Sequence, residues 1–287
     1  FVALLAGLIV SRLLALITEK NIVIKLPDSV PEMVSESLSS LLAGVIITIV
    51  FLIFRALFAV TPYGNATDCI YTIIQTPLQS LTGNLPAFII IILIAQLLWF
   101  FGIHGSMTVL PILFPIWLSY IGDNTAAMAA GKTIPHVLNI GLWDLANLGG
   151  SGATIGLVIL MFFKAKSNQY KSFGKLTLPC GIFSVNEPVI FGLPVILNPI
   201  MLIPFIICPI VLVCLGYALI QFGIVTAPIG ILGLGSMPPL ISGIMQGSLS
   251  WGIYQLVAVV ISIIIYYPFF KTIDNQALAK EKGEQGE

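Results

Sequence analysis

Long apolar runs recur along this chain, and they constrain its fold more than any other feature. A membrane-spanning helix needs about 20 mostly apolar residues, and only 8% of the 287 residues are charged, against about a quarter in soluble domains. The runs that reach or approach this length are Phe1–Ile17, Leu38–Val60, Pro86–Ile103, Ile155–Phe163, Ile200–Phe222 and Ile253–Phe270. We therefore predict an all-α polytopic membrane protein in a lipid bilayer.

Two other apolar stretches, Ser106–Tyr120 and Ala227–Gly247, are interrupted by proline or glycine. Irregular backbone at membrane depth is tolerated only where it is buried in protein or lines a watery cavity, so we expect two re-entrant hairpins. Residues Pro62–Thr82 are mixed in polarity, with an apolar stripe at helical spacing, and we expect an amphipathic helix at the membrane interface. This combination is typical of a transporter.

We expect three regions along the chain. The chain begins inside an apolar run without an initiator Met, so residues 1–82 are expected to hold what remains of an N-terminal part with further helices missing, plus the amphipathic linker. Residues 83–270 are expected to form the transport domain and residues 271–287 a charged tail. Lys164–Lys175 holds four lysines and no acid, so the positive-inside rule places this loop in the cytoplasm. Two explanations of these lysines stay open, membrane topology alone or docking of a partner protein.

Charge and cysteine content exclude other classes. The formal net charge is zero, so no bulk electrostatic field favours nucleic acid. The four cysteines show no metal-type spacing and are typical of small apolar residues in helix interiors. We expect neither a metal nor a cofactor.

The segment SVNEPVIFGLPVILNP, residues 184–199, places Glu187 among three prolines. A carboxylate at membrane depth costs about 3 kcal/mol or more, so such a residue usually faces a cavity with a partner. Pro188 disfavours the helical conformation at Glu187. Glu187 is therefore a candidate base or hydroxyl-orienting group, the alternative being a carboxylate that only ties together a broken backbone.

Three more motifs contain candidate site residues. His104 lies between Gly102 and Gly105 in GIHG, where the imidazole can face a pocket or the membrane interface. The glycines of NLGGSG, Asn147–Gly152, allow close backbone approach to a polyol or phosphate, or close helix packing. Trp99 and Trp251 suit sugar stacking or an interfacial belt.

WFFGIHGSM, NLGGSGATIGL and SVNEPVIFGLPVILNP, in this order, resemble the membrane component (IIC) of a sugar phosphotransferase system. The lactose/cellobiose/diacetylchitobiose branch is the most similar, and the resemblance extends over almost the whole chain. It implies a homodimeric permease of the bacterial cell membrane that imports a disaccharide. The sugar 6-hydroxyl is phosphorylated by a phosphocysteine on a separate soluble IIB protein, which makes the permease the membrane subunit of a transferase.

The resemblance also implies roles for individual residues. Glu187 is expected to act as a base or to orient the reacting hydroxyl, and His104 to stabilise charge beside it. The expected sugar contacts are Asn186, Asn147, Gly150, Ser151, Trp99 and Trp251. Two other functions remain open: an ion-coupled secondary transporter with Glu187 and His104 as a proton relay, and a channel or structural subunit.

Overall fold

The computed structural model of the chain describes residues 2–20, 22, 32–69, 72–73, 83–193 and 195–284, and the regular elements within these ranges are helices. The chain divides into two compact units, residues 1–78 and 79–287, whereas the sequence placed the boundary at residue 82. An all-α architecture, as predicted, is confirmed.

In the first unit, helix α1 (Val2–Glu19) packs against α2 (Glu32–Ala59). The last 20 residues of α2, Ser40–Ala59, form a candidate membrane span with a mean hydropathy of 2.7, as the run Leu38–Val60 predicted. The expected amphipathic helix at Pro62–Thr82 lies largely outside the described residues.

The second unit contains nine described helices and one 3₁₀ turn. The elements are α3 (Leu85–Phe100), α4 (Gly105–Ala129), α5 (Ile140–Ala146), α6 (Ile155–Lys164), α7 (Asn168–Ile182), α8 (Glu187–Gly192), α9 (Pro199–Gln221), the 3₁₀ turn Leu234–Ser236, α10 (Ile241–Met245) and α11 (Leu249–Glu284). The long α11 packs against α6, α9 and α10, while α9 also contacts α3 and α5.

Three helices of this unit are long and apolar enough to cross a membrane, namely α4, α9 and residues Leu249–Gly283 of α11. The runs Ile200–Phe222 and Ile253–Phe270 predicted the last two. The run Pro86–Ile103 gives only the 16-residue α3, about 24 Å at 1.5 Å per residue against a hydrocarbon core of about 30 Å. Similarly, Ile155–Phe163 forms the 10-residue α6.

The hairpin predicted at Ser106–Tyr120 is wrong, because α4 is one 25-residue helix that continues through Pro111 and Pro115. Each proline removes a helical N–H, but membrane helices tolerate prolines when neighbouring groups satisfy the freed carbonyls. Leu113, Ile116 and Trp117, from the same stretch, are buried, so packing offsets the lost hydrogen bonds.

The second predicted hairpin lies between α9 and α11, where the chain forms only the 3₁₀ turn and the short α10. The stretch folds back on itself, because the Ile229 N–H donates to the Gln246 carbonyl at 3.0 Å. The Gln246 Oε1 also accepts from the N–H groups of Gly230 and Ile231 at 2.9 Å. Its entry into a membrane stays a prediction.

Residues 271–284 continue α11 rather than forming the separate tail that we expected. Asp274 accepts hydrogen bonds from the Lys166 N–H at 2.8 Å and from the Ser167 N–H and hydroxyl. Glu281 accepts from the N–H groups of Asn168 and Gln169. These carboxylates satisfy the free donors at the start of α7, where negative charge is favourable.

Candidate functional site

The two predicted catalytic residues lie side by side at helix ends. His104 is the N-cap of α4, where its Nδ1 accepts a hydrogen bond from the Met107 N–H at 3.1 Å. In the neutral imidazole the proton therefore lies on Nε2. That atom is 3.8 Å from Oε1 of Glu187, the first residue of α8. The side chains are 37% and 49% exposed, so both can be reached by a ligand.

An aromatic wall supports this pair. The ring centroids of Trp99 and His104 are 4.1 Å apart, and Phe191 meets Trp99 edge-on with centroids 6.5 Å apart. Trp99 belongs to the last turn of α3, and Phe191 follows Glu187 by one turn of α8. The indole thus fixes the orientation of the imidazole toward Glu187.

The NLGGSG motif forms a tight turn beside the pair. Gly149, Gly150, Gly152 and Ala153 have positive φ values, which only glycine adopts without a steric cost. Asn186 is buried and donates to the Ser151 carbonyl at 2.7 Å and to Thr154 Oγ1 at 3.0 Å. A Cβ at Gly150 would collide with the Asn186 side chain, so this glycine permits the contact that places Glu187.

The turn is also fixed from α11. The Tyr266 hydroxyl donates to the Gly152 carbonyl and the Ser262 hydroxyl to the Ala153 carbonyl, both at 2.7 Å. A Cβ at Gly156 would collide with backbone of α11. Close helix approach through small residues is the usual packing mode in membranes, and here it holds the turn rigidly.

These elements enclose a cavity of about 300 Å³, at the lower end of small-molecule sites. It brings together seven of the eight predicted residues; its lining is Trp99, His104, Ser106, Met107, Trp143, Asp144, Asn147, Gly150, Ser151, Ser184, Val185, Asn186, Glu187, Gly233, Gly235 and Ser236. The eighth, Trp251, is fully buried near the start of α11, where it packs against Tyr254. Trp251 does not line the cavity. The prediction is wrong because the sequence alone does not distinguish a packed indole from an exposed one.

Most polar side chains in the lining already have protein partners. The hydroxyls of Ser106 and Ser151 are 3.0 Å apart, Asn147 donates to the Trp143 carbonyl at 2.8 Å, and Ser184 accepts from the Gly149 N–H at 3.1 Å. The predicted sugar contacts Asn147 and Asn186 therefore donate amide hydrogen bonds within the protein itself and shape the cavity.

Asp144 is the main site residue that the sequence did not single out. It lies in α5, outside the four candidate spans, and its carboxyl lies against Gly235 of the 3₁₀ turn, where a Cβ would collide with it. Burial raises the pKa of Asp144 to about 8. In the sequence Asp144 is only one of several polar residues between residues 122 and 148, because its approach to a glycine 91 positions later leaves no sequence signal.

The lining favours a neutral, hydroxyl-bearing ligand. Among the described lining residues two are acids, Glu187 and Asp144, and none is lysine or arginine. An anion would meet like charge there, whereas a hydroxyl both donates and accepts. An oxygen about 2.8 Å from each of His104 Nε2 and Glu187 Oε1 fits between them by hydrogen-bond geometry.

Comparison with known proteins gives a consistent result. The family model described as "Phosphotransferase system, EIIC" matches residues 1–209. The lichenan permease IIC component of Bacillus subtilis (strain 168) is 37% identical over 98% of this chain and 63% of its own length. The cellobiose-specific EIIC component of Geobacillus stearothermophilus is 37% identical over 99% of this chain and 64% of its own.

Among solved structures, the crystal structure of the transporter ChbC, the IIC component from the N,N'-diacetylchitobiose-specific phosphotransferase system, is similar. It is 37% identical, with a TM-score of 0.78 over 99% of this chain and 66% of ChbC. The chain thus spans 63–64% of the length of these curated relatives. The family match over residues 1–209 and the shared fold show that the chain belongs to the phosphotransferase system EIIC family.

Proposed function

We propose that this chain is part of a permease that imports a disaccharide of the cellobiose, diacetylchitobiose or lactose type and presents its 6-hydroxyl for phosphorylation by phospho-IIB. The named relatives handle lichenan, cellobiose and N,N'-diacetylchitobiose. The cavity lining supports an uncharged sugar as the ligand, because it offers hydroxyls, amides and carboxyls but no lysine or arginine among the described lining residues.

The observation that carries this proposal is the 3.8 Å separation of His104 Nε2 and Glu187 Oε1 at the edge of the cavity. A sugar hydroxyl between them donates to the carboxylate and accepts from the imidazole N–H. Glu187 then orients the hydroxyl oxygen toward phosphorus and takes up its proton as the new P–O bond forms, while the P–S bond of the IIB phosphocysteine breaks and leaves that cysteine as a thiolate. Phosphoryl transfer depends chiefly on alignment and charge stabilisation, and the pair supplies both.

The phosphoryl donor comes from another protein in this proposal. None of the chain's four cysteines lines the described cavity, and Cys208, the most enclosed, is fully buried. A phosphocysteine needs an accessible thiolate in an electropositive setting. A cysteine on soluble IIB, arriving from the cytoplasm, fits this requirement.

The cytoplasmic side is assigned to the junction of α6 and α7 and to the end of α11. Lys164, Lys166, Lys171 and Lys175 are exposed at this junction, and the positive-inside rule applies to such loops. Asp274 of α11 binds the same junction, so the C-terminal end of α11 lies on that side. The resemblance further implies a homodimer, which cross-linking of the full-length protein tests.

The decisive experiment uses the full-length protein in vesicles with labelled cellobiose, lactose and diacetylchitobiose. When phospho-IIB is added to the outer solution of inside-out vesicles, we expect sugar phosphate to form. Glu187→Gln should lower sugar phosphate formation by about 10²–10⁴-fold, the range for a lost proton-transfer group, and should change sugar affinity less. Accumulation of unmodified sugar driven by a proton gradient would refute the proposal in favour of the ion-coupled alternative, which the comparisons do not support.

The matched control is Asp123→Asn. Asp123 Oδ2 lies 3.0 Å from His136 Nε2, so this variant breaks an exposed histidine–acid pair that does not line the cavity. It should leave sugar phosphate formation unchanged. Equal losses in both variants would show that the effect of Glu187→Gln is not chemical.

A further inference from the structure

Asp144 carries an unsatisfied hydrogen-bonding requirement that the proposed chemistry does not use. Its Oδ2 is inaccessible to solvent and has no hydrogen-bond partner among the described residues. Neither His104 nor Glu187 forms a hydrogen bond or ion pair with it in the described contacts. A buried carboxyl oxygen without a hydrogen-bond partner costs free energy even in the neutral acid, and the Asp144 side chain lines the cavity, so a ligand there can supply a partner to this carboxyl.

The carboxyl and the reacting pair belong to different walls of one cavity. Asp144 lies on α5 and meets Gly235 of the 3₁₀ turn, whereas His104 and Glu187 begin α4 and α8. The backbone of Gly235 does not have a positive φ, so glycine is present for space and not for conformation. The site is therefore shaped around the Asp144 carboxyl.

Neighbouring polar groups do not compete for this carboxyl. Asn147, the C-cap of α5, donates its amide to the Trp143 carbonyl, and Ser106 is hydrogen-bonded to Ser151. The nearest wall offers glycine backbone, with no cation among the described lining residues. The complementary ligand is one with hydroxyl or amide donors.

Building on the proposed function, we propose that Asp144 binds the sugar directly, accepting hydrogen bonds from hydroxyls of the ring that is not phosphorylated. The reacting hydroxyl lies between His104 and Glu187, so donors on the α5 wall come from another part of the disaccharide. Asp144 then fixes the direction in which the disaccharide lies, with one ring at α5 and the 6-hydroxyl at the reacting pair. Monosaccharides lack one of these two attachments and bind more weakly.

The test measures sugar affinity of the purified full-length protein by calorimetry. Asp144→Ala should weaken disaccharide binding tenfold or more, as for a lost hydrogen bond to a charged or strongly polar group, with Asp144→Asn intermediate. A series of singly deoxygenated disaccharides identifies the contact: the analogue lacking the bound hydroxyl should have the same affinity for wild type and for Asp144→Ala. The 6-deoxy sugar should still be weakened by the substitution.

Gly235→Ala supplies a second, independent variant. The new methyl group should displace the Asp144 carboxyl and weaken binding, yet it should add little loss in the Asp144→Ala background, where the collision is gone. Wild-type affinity in Asp144→Ala, or losses that multiply for every deoxy analogue, would overturn the assignment. Absence of any disaccharide binding by wild type would instead refute the proposed function on which it rests.

Discussion

The contact between Gly150 and Asn186 allows a quantitative test of how the site is assembled. Asn186→Ala removes two buried hydrogen bonds, to the Ser151 carbonyl and Thr154 Oγ1, and leaves both partners in a dry environment. At about 1–2 kcal/mol for each, the expected cost is roughly 2–4 kcal/mol. For a chain of this size that lowers the melting temperature by roughly 5–15 °C.

Gly150→Ala should cost more by a different route. Its φ of 98° imposes backbone strain of about 1–3 kcal/mol on alanine, and its Cβ displaces Asn186, which adds the same 2–4 kcal/mol estimated above. The matched control is Gly131→Ala, whose φ is 64° with no atom within 4 Å of the new Cβ, so it reports strain alone. Melting in detergent, followed by intrinsic fluorescence, ranks the variants.

The double variant decides between the two accounts. In the double variant no amide remains for the Gly150 methyl group to displace, although Asn186 Cβ, which the new methyl carbon also meets, still has to shift. The cost of the lost hydrogen bonds therefore enters only once, and the coupling energy should equal that cost. Strictly additive losses would refute the proposed link between Gly150 and Asn186. A fall in sugar affinity for Asn186→Ala without a lower melting temperature would show a direct sugar contact instead.

Two other variants test single features of the site. The ionised Asp144 carboxylate accepts stronger hydrogen bonds than the neutral acid, so sugar binding should favour loss of its proton. Sugar affinity should therefore rise as the pH increases through the Asp144 pKa of about 8. Asp144→Asn should remove this rise, and an unchanged pH profile in that variant would contradict the role of Asp144. Trp251→Phe should destabilise the fold by about 1–3 kcal/mol and leave sugar affinity within about twofold of wild type, because the indole packs outside the cavity; a large loss of affinity on calorimetry would show otherwise.

Local chemistry explains why so much of the site could be predicted. In a chain with 8% charged residues, an acid or histidine flanked by helix-breaking residues stands out, and both Glu187 and His104 lie at helix ends that face one cavity. The same reasoning failed at Pro111 and Pro115, where packing of α4 overrides the tendency of proline to end a helix. Proline shows where a helix loses a hydrogen bond, and the neighbouring helices decide whether it breaks.

Contacts between distant segments explain what could not be predicted. The resemblance implied that Asn186 contacts the sugar, but its amide binds a turn 35 residues earlier. Asp144 looked like one polar residue among several, but it meets Gly235. Residue type indicates which side chains need hydrogen-bond partners, whereas only the fold shows which of them have one.

This distinction separates the polar residues of the site into two groups with different roles. Broken helices free backbone donors and acceptors at membrane depth, and these must be satisfied within the protein; Asn186, Ser184 and Ser262 do this for the turn after α5. His104, Glu187 and Asp144 keep hydrogen-bonding capacity that no described side chain fills by a hydrogen bond. Substitution in the first group should therefore lower stability and activity together, whereas substitution of Glu187 or Asp144 should lower binding or chemistry and leave the fold intact. His104 also caps α4, so its substitution should in addition lower stability.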